Sequence, residues 1–254
     1  MSFLRLRKVR DLILAPSLWP AAISGVLPAT EHTEAFQGIE FDVVVDVGAN
    51  KGQFAAFAAH RWPGAYITCF EPLPGPIRTL RRVLQGVACG RSEVRSVALG
   101  AEAGISEMHI ASREDSSSML KIGPGQEQHF GTREVNQSLI QVVRLDETYD
   151  HFGDINLLKI DVQGFEMEVL RGSVGVLTEF AGIYVECSYI ELYENQALAQ
   201  DVISFLSGHG FKLSGTYNSH HFNGNIVQAD LLFSRTNKLE LKSSPIESEM
   251  GYDG

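Results

Sequence analysis

The sequence predicts an α/β fold: a mostly parallel seven-stranded sheet, helices on both faces, and an antiparallel hairpin at the C-terminal end. Three observations carry this. From residue 41 onward, short β-branched runs alternate with segments of helical period, the pattern of a parallel sheet covered by crossover helices. Several runs are apolar along their whole length, as strands buried on both faces must be. The last two runs, residues 211–217 and 225–233, are joined by the His-rich link 218–224 with no helix between them, so they must pair antiparallel.

The elements follow in order. Residues 42–47 (DVVVDV) read as the first strand and 48–52 as a turn. Residues 53–61 read as a helix, with Phe54, Phe57 and Ala58 on one face and a stop before Pro63. Residues 65–71 are the second strand, 74–84 a helix with Pro76 in its first turn, and 93–99 the third strand. Residues 105–111 and 139–145 read as strands flanking a polar segment, 112–138, which carries Ser116-Ser117-Ser118 and Gly123-Pro124-Gly125. A loop of that length inside a compact domain is usually functional, and a lid is expected. Residues 156–162 and 182–187 are strands, and 164–170 and 196–207 helices.

Residues 39–236 hold this domain. Residues 1–38 read as an amphipathic leader, with Arg5, Arg7, Lys8 and Arg10 ahead of an apolar stretch that Pro16 and Pro20 interrupt. Packing on the domain is expected of it, with a peripheral membrane contact as the alternative; no uninterrupted apolar run reaches transmembrane length. Residues 237–254 are polar and read as a disordered tail. The net charge of −10 argues against a nucleic-acid backbone as the main partner, because phosphates need Lys and Arg to displace their counterions. Three unclustered cysteines, Cys69, Cys89 and Cys187, fit neither a disulfide framework nor a zinc site and point to a reducing, cytoplasmic setting.

Three motifs carry chemistry. Asp46-Val47-Gly48-Ala49-Asn50-Lys51-Gly52-Gln53-Phe54 follows a strand and opens a helix, the context a nucleotide-binding loop requires. Gly48 and Gly52 let backbone approach a ligand, and Asp46 can accept hydrogen bonds from loop amides or an ammonium group. The spacing is neither Gly-x-Gly-x-x-Gly nor a P-loop. Glu71 ends the next strand, placed to take the ribose hydroxyls of an adenosine ligand, and Pro72 turns the chain across the pocket. Leu158-Lys159-Ile160-Asp161-Val162-Gln163-Gly164-Phe165-Glu166 puts Lys159 and Asp161 on one face of a strand, with Asp161 at the carboxyl end where ligands bind. Glu166 falls in the first helical turn, where its charge suits the dipole.

These segments, with Val97-Ala98-Leu99-Gly100 and Val185-Glu186, resemble the FkbM family of methyltransferases, most specifically in Asp161-Val162-Gln163-Gly164-Phe165-Glu166. The resemblance implies a Rossmann-like class I methyltransferase fold and transfer of a methyl group from S-adenosylmethionine to a hydroxyl of a sugar, glycan or glycosylated or polyketide natural product. It implies cofactor binding by Asp46, Gly48, Ala49, Asn50, Gly52, Phe54, Glu71, Pro72, Ala98, Ser117, Ser118 and Asp161. For catalysis, Asp161 is the first candidate to orient or deprotonate the acceptor, with Glu186, His220 and His221 as further candidates. Asp161 and Glu186 at adjacent strand ends leave a divalent cation such as Mg²⁺ open as an alternative. Two other readings stay open: a Rossmann-fold NAD-dependent or nucleotide-sugar oxidoreductase, which would lack the usual glycine spacing, and a non-catalytic cofactor-binding protein.

Overall fold

The computed structural model describes residues 15–235; the basic part of the leader and the 237–254 tail lie outside the described residues. Seven strands form the main sheet: β1 (Val43–Val47), β2 (Tyr66–Phe70), β3 (Ser92–Arg95), β7 (Asn156–Ile160), β8 (Phe180–Ser188), β9 (Lys212–Phe222) and β10 (Asn225–Ser234). Their order is β3-β2-β1-β7-β8-β10-β9. All neighbours are parallel except β10, which runs antiparallel to both β8 and β9. This is the class I methyltransferase arrangement, and the chain reverses its direction of winding between β1 and β7, where a crevice opens at the carboxyl ends of the strands.

Both faces are covered, and period two sorts the side chains. Val44, Ile67 and Leu157 join one core with Phe54, Phe57 and Ala58 of helix α2 (Gln53–Arg61) and Leu80 and Leu84 of helix α3 (Pro74–Val87). Val43, Val45, Leu158 and Ile160 join the other core with Val169 and Leu170 of helix α6 (Glu166–Arg171) and Val202 and Leu206 of helix α7 (Ala199–Gly208). Residues 15–38 lie on the first face. Helix α1 (Trp19–Ile23) buries Ala21 against Val83, and Phe36 packs edge-on against Trp62 at 5.1 Å.

Three expectations change. The third strand, 93–99, breaks after Arg95; Ala98–Leu99 is a separate strand, β4, in a second sheet with β5 (Gly104–Ala111) and β6 (Glu134–Val143), ordered β4-β6-β5. The polar segment 112–138 is not one long loop. It holds a 3-10 turn (Glu114–Ser116), helix α4 (Pro124–Phe130) and the start of β6, so only short connections remain, and the one-turn helix α5 (Leu145–Thr148) follows β6. The link 218–224 is mostly strand: β9 continues to Phe222, and Asn223 and Gly224, with φ of 50° and 81°, make a two-residue turn. Asn-Gly suits such a turn because both positions need positive φ, which matches the twist of the flanking strands.

Candidate active site

The crevice at the β1–β7 switch holds a cavity of about 400 Å³. Its floor is the β1–α2 loop. Gly48 has φ of 75°, and a Cβ there would stand 1.8 Å from the backbone oxygen of Asp161, so the loops after β1 and β7 touch only because this residue is glycine. Of the expected cofactor residues, Gly48, Ala49, Asn50, Phe54, Glu71, Pro72, Ala98, Ser117 and Asp161 line this cavity.

Asp46, Gly52 and Ser118 lie behind its wall instead, each for a physical reason. Asp46 is in register with Lys159 across the β1–β7 pair, on the same face, and the Lys159 ammonium meets its carboxylate at 3.0 Å. Asp46 is fully buried; burial pushes its carboxyl up and the Lys159 charge opposes this. Burial works against the ammonium too, yet the charges of Asp46, Asp161 and Glu186 outweigh it and raise the Lys159 pKa, so the lysine stays charged. Gly52, with φ of 93°, lets α2 approach α3: a Cβ would meet Leu80 at 2.9 Å. Ser118 donates its hydroxyl to the Gln163 carbonyl at 2.6 Å.

Glu71 faces the cavity while tying two loops together. Its carboxylate accepts N–H bonds from Asn50 at 2.9 Å and Leu73 at 2.8 Å. Burial raises its pKa to about 7 against the pull of those two bonds. Glu166 does for the β7–α6 turn what a dipole argument does not capture: one of its oxygens accepts from Val162 and Gly164, closing the turn that carries Asp161 and Gln163.

Gln163 is the residue the motif reading passed over as a candidate. In the left-handed region at φ of 57°, its amide nitrogen donates to Asp161 at 2.7 Å and to Glu186 at 2.8 Å, clamping the two carboxylates side by side. Tyr193 donates to the Gln163 side-chain oxygen Oε1 at 2.9 Å, and Gln126 of α4 donates to Tyr193 at 2.6 Å. Burial, then the neighbouring Asp161 charge, drive the Glu186 carboxyl well above its ordinary range. Both effects favour the protonated form of Glu186, and its partner Asp161 lines both cavities described here. Among the described residues, no group of three His, Cys, Asp or Glu side chains comes together as a metal site.

A second cavity, of about 280 Å³, adjoins the first and shares Glu31, His32, Phe130, Lys159, Asp161, Glu186 and Gln228 with it. His220 lines this second cavity from β9, its ring 4.9 Å from that of Phe130. His221 lines neither cavity, because neighbours on a strand point to opposite faces. Glu31 and His32 come from a 3-10 turn, Thr30–Thr33, in the stretch read only as a packed leader. No helix among the described residues is long and apolar enough to cross a membrane.

This chain is similar to known methyltransferases. The methyltransferase FkbM domain matches residues 46–213. The 31-O-demethyl-FK506 methyltransferase FkbM of Streptomyces tacrolimicus is 30% identical over 213 residues, covering 72% of this chain and 78% of the relative. The 2-O-methyltransferase NoeI of Sinorhizobium fredii is 27% identical over 173 residues, covering 65% and 70%. Among solved structures, magnesium protoporphyrin IX methyltransferase (ChlM) of Synechocystis, with bound SAM, superposes with a TM-score of 0.47 at 11% identity, over 89% of this chain and 83% of that one. The domain match spans the strand-end loops, the carboxylate pair and the switch between them, and the chain belongs to the FkbM methyltransferase family.

Proposed function

We propose that this protein is an S-adenosylmethionine-dependent O-methyltransferase that acts on a hydroxyl of a sugar, glycan or glycosylated or polyketide natural product, in the cytoplasm. The carboxylate pair carries the reading: Asp161 and Glu186 are clamped at the rim shared by two adjoining cavities, one with nucleoside-binding features and one polar. The names of two relatives, a 31-O-demethyl-FK506 methyltransferase and a 2-O-methyltransferase, favour oxygen as the acceptor atom. Membership of a methyltransferase family displaces the oxidoreductase alternative.

The residues present fit the cofactor. Asn50 Oδ1 is buried without a partner on the cavity wall and suits the ammonium of an amino-acid group. Glu71 suits the ribose hydroxyls, and Leu73, Ala98 and Leu99 give an apolar seat for a base. When bound, S-adenosylmethionine supplies a methyl group on a sulfonium, already a good leaving group. The protein's part is alignment and proton removal. Asp161 orients the acceptor hydroxyl and takes its proton. Gln163 fixes the carboxylate beside that of Glu186, and the Lys159 ammonium lies 3.8 Å from Asp161.

Incubation with methyl-labelled S-adenosylmethionine and a panel of sugars, glycans and glycosylated natural products tests the reading. Label should appear on an acceptor oxygen; cofactor binding with no transfer across the panel would leave a non-catalytic binding protein. The Glu71 assignment has its own test. Because its pKa stands at about 7 and the ionised form is the better acceptor, affinity for S-adenosylhomocysteine should rise with pH between about 6 and 8, then level off. Glu71→Gln should flatten that profile in calorimetric titrations. A wild-type affinity that is flat, or that falls with pH, removes Glu71 from the site.

A further inference from the structure

Three side chains from outside the family-matched residues 46–213 converge at the second cavity: His32, Asn218 of β9 and Asp230 of β10. His32 Nδ1 lies 3.0 Å from the Tyr184 hydroxyl, 3.0 Å from Asn218 Nδ2 and 3.3 Å from Asp230 Oδ2. Its proton follows by elimination. Tyr184 donates its hydroxyl to Asp230 Oδ2 at 2.9 Å, and the Asn218 amide donates one hydrogen to the same oxygen at 2.8 Å and the other to the Tyr184 hydroxyl at 3.3 Å. Two oxygens that can accept, and an amide donor already committed, surround Nδ1, so Nδ1 carries the hydrogen. Burial pushes the Asp230 carboxyl up, but the His32, Asn218 and Tyr184 hydrogen bonds outweigh it and hold it below the ordinary range, as a charged acceptor.

In the neutral ring Nε2 is then the bare nitrogen, and the ring lines both cavities. That ring packs edge-on against Phe54 at 5.3 Å, and the same phenyl carries the Lys159 ammonium at 5.5 Å. Lys159 in turn lies 3.8 Å from Asp161. The His32 ring and the Asp161 carboxylate both line the two adjoining cavities. Glu31, Glu186 and Asp230 also line the second cavity, alongside Lys159, Asn218 and Gln228, so its polar lining suits an occupant whose hydroxyls both donate and accept.

We infer that His32 is a specificity-determining residue for the acceptor: its Nε2 accepts a hydrogen bond from a second hydroxyl adjacent to the one held by Asp161, so the site reads a vicinal diol. The inference rests on the O-methyl-transfer reading. It assigns the N-terminal turn and the terminal hairpin, both outside the family-matched segment, to substrate choice, while the matched segment supplies cofactor and base.

Tetrahydropyran-3,4-diol and tetrahydropyran-3-ol, one ring with two hydroxyls or one, provide the test. In ¹⁵N spectra of the histidine rings of the wild-type chain, His32 should show a bare Nε2, and the diol but not the mono-ol should shift it. In methyl-transfer assays, His32→Ala should raise KM for the diol about tenfold, one hydrogen bond's worth, with kcat nearly unchanged and the mono-ol unaffected. His32→Gln, which keeps an acceptor, should recover part of the loss. A bare Nδ1, or equal responses to both alcohols, overturns the inference. So does a fall in kcat at constant KM, which would make His32 the base, or a loss of S-adenosylhomocysteine affinity, which would move it to the cofactor. If the diol shifts Nε2 but wild type methylates neither alcohol, the diol site stands and the methyl-transfer reading falls on these probes. The wild-type spectra decide the matter even if His32→Ala does not fold.

Discussion

Asp161→Asn should lower kcat by on the order of 10²-fold or more, the usual scale of general acid–base catalysis, while S-adenosylhomocysteine affinity stays near wild type. The substitution keeps the size of the side chain and an oxygen for the Gln163 amide, whose bond to Asp161 is 2.7 Å. It removes the charge. Burial favours the protonated form of Glu186, so it is poorly suited to replace the lost base. Steady-state kinetics and calorimetry on one preparation separate the two parameters. Near-normal turnover would place the base elsewhere, with Glu186, His220 and His32 next to be replaced. If the carboxylates instead hold Mg²⁺, a chelator should reproduce the loss in wild type and added Mg²⁺ should restore it.

Lys159→Met should cost about 3–5 kcal/mol of stability, the scale on which breaking a buried ion pair leaves a charge uncompensated. Asp46 is the reason: with no solvent exposure, it has Lys159 as its ion-pair partner at 3.0 Å. Burial already raises its carboxyl, and loss of the ammonium raises it further. A carboxyl raised in the folded state binds its proton more tightly there than in the unfolded chain. The variant is therefore least impaired in acid and loses stability as pH rises past the ordinary Asp range. Denaturant titrations at two pH values should show that slope, and the double variant Asp46→Asn/Lys159→Met should recover much of the loss. A single variant as stable as wild type at neutral pH would mean that the pair contributes nothing.

The parts of the site that sequence made legible are those where one local stretch contains both the backbone requirement and the chemistry. Gly48 shows this: a strand, a glycine and a helix start within a few residues, and the close approach of Asp161 follows. Asp161 and Glu71 were legible for a similar reason, as acidic residues at the ends of apolar runs. Asp46 looked the same but differs because β1 and β7 lie side by side with Asp46 opposite Lys159, a register that no single segment contains.

His32, Tyr193 and Gln126 were hidden for the same physical reason: each reaches the site through tertiary packing from a distant part of the chain. The terminal hairpin misled in another way. The outer strand β9 is largely exposed on both sides, so residues 218–222 show no apolar alternation and read as loop, although Asn223-Gly224 marked the turn. Two strands of the second sheet are legible at 105–111 and 139–145, but the sheet itself is not, because the pairing of β6 with β4 and with β5 joins segments that no single stretch contains.

A crystal structure of the complex with S-adenosylhomocysteine tests the site most directly. The ribose hydroxyls should lie on Glu71, the amino-acid group beside Gly48 and Asn50, and the sulfur should face Asp161, with room toward the second cavity for a methyl group and an acceptor oxygen. Adenosine seated outside the cavity, or a sulfur turned away from the Asp161–Glu186 rim, would contradict it.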